Sequence, residues 1–175
     1  MHKLFKSVIW PAIAGNVAWS FVSVAVAEDL SSHQAIVRLI ALGLLAAYLM
    51  ISLAWKPTRR VTNPCFYYPL DSLFAISIAV FAIATYNEST KTANWVSYSL
   101  VAVFTLPMLG HLFKIWEPGR ICIERLCLAL PSTLGIAILV VGLWAFPQSV
   151  LEFRVLALLV VIEIWILIRS LYPNH

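Results

Sequence analysis

Four ionisable side chains stand out in this 175-residue chain because of what surrounds them: Asp71, His111, Lys114 and Glu163 each border or interrupt a long apolar run. An ionisable group inside a membrane span costs about 2.5–3.5 kcal/mol on insertion scales, so it marks a function by default. His111 lies seven residues before Pro118, and Glu163 ten before Pro173. At about 1.5 Å of helical rise per residue their depths differ by about 4–5 Å, close enough to meet across adjacent helices. A carboxylate beside an imidazole can hold and release a proton near neutral pH, where imidazole titrates. Lys114 shares a helix face with His111 at i+3, and Asp71 follows Pro69 by two residues. Together the four read as a proton- or substrate-binding cluster in one half of a bilayer. The plainer reading is an interhelical hydrogen bond or ion pair that locks packing, with Lys114 reaching for the headgroups.

A second group lies outside the apolar runs. The segment 56–69 (KPTRRVTNPCFYYP) is basic, broken by proline and aromatic at its end. Its Lys56, Arg59 and Arg60 are candidates for holding a partner or anionic lipid headgroups. Arg38, Glu152 and Arg154 fall near the opposite ends of their runs, where an ion pair or a headgroup contact accounts for them. Asn16 sits midway along the first run among Ala12, Ala14, Gly15 and Ala18, small residues that suit close helix contact; Gly43 and Gly110 suit it too.

The elements that must carry these residues follow from composition. With 62% hydrophobic and 11% charged residues and a mean hydropathy of +0.90, the chain has too few charges to cover a water-soluble globule, since soluble domains carry about 25% charged residues. Six stretches approach or exceed the length of about 20 residues that a helix needs to cross hydrocarbon: residues 8–27, 35–55, 70–86, 95–116, 126–146 and 150–171. They occupy nearly the whole chain and leave no soluble domain. A transmembrane β-barrel requires alternating apolar and polar positions, which runs such as LGIAILVVGL at 134–143 exclude. The expected fold is therefore all-α: one integral membrane domain over 1–175, a six-helix bundle. Residues 1–27 resemble a secretory signal ending Ala25-Val26-Ala27, but the apolar stretch is longer than the roughly 7–15 residues of a signal core. It is expected to stay as the first span.

Charge orients the bundle. Nine cations (Lys3, Lys6, Lys56, Arg59, Arg60, Lys114, Arg120, Arg125 and Arg169) fall on the side of the termini, and three (Arg38, Lys91 and Arg154) on the other. The positive-inside bias makes both termini cytoplasmic, as an even number of spans requires, in a plasma-type membrane such as a bacterial inner membrane. Trp10, Trp55, Trp95, Trp116 and Trp144 lie near expected helix ends, where indole rings anchor at the headgroups. Proline and aromatic punctuation, including Trp55-Lys56-Pro57-Thr58-Arg59 and Trp116-Glu117-Pro118-Gly119-Arg120, divides the chain into three out-and-back hairpins, with odd spans opening near Pro11, Pro69 and Pro131. If they are true repeats, they are parallel and related by an axis along the membrane normal.

No H-E-x-x-H, G-x-S-x-G or P-loop pattern occurs. Cys65, Cys122 and Cys127 lack metal-ligand spacing, so no metal and no cofactor is expected. The net charge of +4 belongs to lipid-facing loops rather than to nucleic-acid binding. Three functions remain open. The first is a small transporter or channel, oligomeric, with His111 and Glu163 in its lining. The second is a non-catalytic subunit or assembly factor of a larger membrane complex, so that partners are the bilayer and either further copies or other membrane subunits. The third is an enzyme acting on a lipid or quinone, which no motif asks for.

Overall fold

The computed structural model describes residues 8–27, 31–54, 64–87, 93–115 and 123–171. They form six helices and, among the described residues, no strand: α1 Trp10–Ala27, α2 His33–Ala54, α3 Pro64–Tyr86, α4 Ala93–Ile115, α5 Ile123–Ala145 and α6 Val150–Leu171. By length and hydropathy the segments Trp10–Ala27, His33–Ile51, Pro69–Tyr86 and Trp95–Leu112 can each cross a membrane, and Ala129–Ala145 is a shorter apolar helix. α6 carries the most charge, with Glu152, Arg154, Glu163 and Arg169.

Local chemistry explains the ends. Ser32 caps α2, its Oγ accepting from the Ala35 N–H at 3.3 Å. At the end of α3 the Ile83 carbonyl accepts from both the backbone N–H of Asn87 at 3.0 Å and its side-chain amide at 3.1 Å. Pro147, whose fixed φ and missing N–H suit the first position of a helical turn, opens the three-residue 3-10 turn Pro147–Ser149 between α5 and α6. A connection this short makes α5 and α6 antiparallel neighbours.

One proline departs from the expected bounds, Pro69 of α3, whereas Pro107 and Pro131 fall inside the expected spans 95–116 and 126–146. α3 begins at Pro64 rather than at residue 70, so Pro69 is internal, and Pro107 and Pro131 are internal to α4 and α5. Pro64 occupies the first helical position, where its fixed φ is pre-organised and its missing N–H costs nothing. The internal prolines release the carbonyls four residues before them, a loss that membrane helices tolerate when neighbouring helices and hydroxyl side chains stand close.

Around the bundle α1 packs on α2 and α3, α3 on α4, α4 on α5, α5 on α6, and α6 back on α2; α2 with α3 and α4 with α6 touch more thinly across this circuit. Each consecutive pair is thus a hairpin. A three-fold set of equivalent hairpins would bring each second helix against the next first helix. That holds for α4 and α5, but α1 rather than α2 meets α3, and α6 meets α2. The first hairpin sits reversed, so parallel repeats about one axis do not describe the arrangement.

The interior is apolar and aromatic. Trp10 and Phe74 meet edge to face at 6.0 Å, Tyr48 and Phe74 at 6.3 Å, and Tyr48 and Phe104 at 6.3 Å. This chain of rings ties α1, α3, α2 and α4 together, each contact worth about 0.5–1.5 kcal/mol beyond its buried area. Trp10 is therefore a core residue, only 3% exposed, and not an interfacial anchor, whereas Trp95 and Trp144 do point outward at 70% and 91%. The turn of the first helix toward α3 decides this, since position 10 shares a face with Ile13 and Val17, both buried.

Candidate functional site

α6 has a buried face and an exposed one, both mostly apolar. Arg154, Ala157, Leu158, Val161, Ile162 and Ile168 are buried, and at 3.6 residues per turn they occupy one sector. Glu163 is nine residues beyond Arg154, about half a turn away in phase, and is exposed, flanked on the same side by exposed Glu152, Leu156, Leu159, Ile166 and Leu167. It stands thirteen residues from Val150 and eight from Leu171, which is about 20 Å and 12 Å along the helix. Among the described residues its carboxyl has no hydrogen-bond or ion-pair partner. An ionisable group thus lies in the middle of a long, mostly apolar helix on the perimeter of the bundle.

This placement separates the residues the sequence grouped together. Glu163 points away from α4 and is not brought to His111. Asp71 and His111 do share a level: a Cβ on Gly110 would lie 3.2 Å from Leu70 Cδ2, which sets residues 70–71 of α3 beside 110–111 of α4. Both are half-buried, and both are engaged in interactions. Lys114 belongs to α4, but its side chain lies outside the described part, as do Lys56, Arg59 and Arg60 altogether. No group of three His, Cys, Asp or Glu side chains converges among the described residues.

The polar centre of the interior is at the other end, where the hairpins turn. Arg154 is 1% exposed, and its Nε donates to Ser97 Oγ of α4 at 3.0 Å. Arg38 lies in phase with buried Ala35, Ala41, Leu42 and Leu45 on α2, so two guanidinium side chains face inward from adjacent helices. Above them His33 Nε2 and Glu152 Oε1 pair at 3.1 Å, with side chains 73% and 47% exposed. A pair this wet contributes about 0.2–1 kcal/mol at most. His33→Ala is accordingly expected to lower the unfolding midpoint in denaturing detergent only slightly, with the difference fading as salt is added.

The sequence reading placed Arg154 at a helix end and missed its burial. A signal was present: Glu152 and Glu163 are eleven residues apart, three helical turns, so they share a face, and Arg154 falls opposite Glu163. Also unforeseen is a surface groove of about 410 Å³ between α3 and α4, lined by Leu73, Ser77, Tyr98, Val101, Ala102, Thr105 and Leu106.

No protein-family model, curated protein or solved structure matches this chain. What fold and site define is a class: a multi-pass, all-α bundle of membrane-type helices with a packed apolar interior, a buried arginine at its hairpin end and a carboxyl on its outer face.

Proposed function

We propose that this protein is a non-catalytic membrane subunit that associates laterally with other transmembrane helices through the outward face of α6. The observation that carries this reading is Glu163. A carboxyl facing hydrocarbon would bear the cost of an ionisable group in a span, and protein packed over that face would relieve it by supplying a hydrogen-bond partner. Polar side chains between helices act in this way as glue. Glu163 stands on the exposed face of α6 while His111 is half-buried in α4, which favours the subunit reading over a lining shared by the two. The nine-to-three distribution of cations supports cytoplasmic termini in a plasma-type membrane.

The test is extraction from native membranes into polymer discs followed by native mass spectrometry. The expected particle exceeds the 19.6 kDa of one chain, and Glu163→Leu is expected to reduce it to a single chain with its helix content intact. Wild-type particles holding one chain and only lipid would overturn the proposal.

A second reading is favoured by a specific observation. Arg38 and Arg154 directed inward on adjacent helices would suit a small anionic solute, since guanidinium groups bind carboxylates and phosphates strongly. Reconstituted protein would then carry anion flux above that of protein-free liposomes, and no excess flux would remove this reading.

A further inference from the structure

We infer that the surface covering Glu163 is the α3–α4 groove of a second copy of this chain. This inference rests on the lateral-association reading and names its partner.

Copies in one membrane share an orientation, so their residues meet only at equal depth. α4 and α6 both start at the hairpin end of the bundle. Thr105 is twelve residues from the start of α4, and Glu163 thirteen from the start of α6, about 18 and 20 Å along their helices. The neighbouring positions agree to within one residue, Leu159 and Ala102 each lying nine from their helix starts, Leu156 six and Tyr98 five. Leu159 falls level with Ala102, where a small side chain leaves room, and Leu156 falls level with Tyr98. Each helix spaces these residues by threes and fours, 156, 159, 163 on one and 98, 102, 105 on the other, the spacing with which helices present a seam of side chains to a neighbour.

The chemistry fits as well. Thr105 Oγ1 donates to the Val101 carbonyl at 2.8 Å, and Ser77 Oγ donates to the Leu73 carbonyl at 2.8 Å. A hydroxyl that donates in this way still has lone pairs to offer. In its protonated form, the Glu163 carboxyl can donate to one of them, which satisfies a polar group that lipid cannot. The groove, about 410 Å³, has room for more than one side chain. It also lies on the side of the circuit away from α6, because α3 is three helices from α6 in either direction. The contact is therefore head-to-tail between unlike surfaces, the kind that builds closed rings or open rows.

The experiment uses the full chain in native membranes, with Cys65, Cys122 and Cys127 replaced by serine. Leu159→Cys and Ala102→Cys are made in separate copies and co-expressed, then oxidised. A disulfide-linked dimer from the mixture, with at least tenfold less from either variant alone, is the expected result. A dimer from Leu159→Cys alone would overturn the groove while leaving lateral association standing, because like surfaces would then be meeting. A photoreactive benzoylphenylalanine at position 159, which leaves Glu163 in place, covers the case in which the cysteine chains fail to accumulate. Its adducts are expected on peptides holding Thr105 or Ser77. Adducts to a different protein would overturn this inference alone, and adducts to lipid only would overturn the subunit proposal with it.

Discussion

Alanine in place of Gly142 is expected to destabilise the bundle by about 1–3 kcal/mol, the usual cost of overpacking a well-filled contact. The added Cβ would stand 2.6 Å from both Cβ and Cγ of Phe153. Phe153 cannot rotate its own Cβ away, and its ring is already stacked on Phe146 at 5.4 Å, so α5 and α6 must part. Small residues in membrane helices serve this close approach. Gly135, one heptad earlier on the same face, comes second: its added Cβ would lie 2.6 Å from Val161 Cγ2 and 3.0 Å from the Phe104 ring, and these atoms belong to side chains that can shift. Gly15 is the control, since nothing lies within 4 Å of the corresponding position. Alanine there is expected to be neutral or to stabilise slightly, because glycine inside a helix costs roughly 0.5–1 kcal/mol relative to alanine. Unfolding in graded sodium dodecyl sulfate, followed by circular dichroism, orders the three. Equal midpoints for the Gly142 and Gly15 variants would contradict the packing described.

Arg154→Ala is expected to cost more, about 2–4 kcal/mol, because it removes a charged donor from buried Ser97 and leaves a cavity. The informative variant is the pair Arg154→Met with Ser97→Ala. Breaking one partner of a buried polar contact leaves the other unsatisfied, whereas replacing both by apolar groups of similar shape is often close to neutral. The double variant should recover part of the loss, and only part, since Arg154 and Ser97 each have further contacts. The double-mutant cycle should return a coupling within about 0.5–3 kcal/mol. Additive losses would mean that the 3.0 Å contact contributes nothing to the fold.

The number of helices, their order and the hairpin pairing were legible because hydropathy over 20 residues is a strong signal and short connections force neighbours together. Boundaries were less legible where proline intervened. Pro69 read as a helix start, since proline favours that position, yet it lies inside α3. Faces were hardest. In a water-soluble helix the polar side marks the outside, but in α6 both sides are apolar, so the polar residues carry no label for in or out. Arg154 therefore looked peripheral and is buried, while Glu163 looked like an inward partner for His111 and faces outward. The close contacts at Gly135 and Gly142 had a faint trace in their seven-residue spacing, and only the position of α6 gives that spacing a meaning.

The claim that protein covers the outward face of α6 can be tested on Glu163 itself. Native membranes and protein dissociated in harsh detergent are treated at one pH with dicyclohexylcarbodiimide, a membrane-soluble reagent for carboxyl groups, and modification is quantified by mass spectrometry of the α6 peptides. Glu152, at the solvent end of the same face, serves as the reference. The expected result is slow modification of Glu163 in native membranes and a rise of at least tenfold, relative to Glu152, once the assembly is dissociated. Equal reactivity of Glu163 in the two states would mean that its face meets lipid, and would contradict the account.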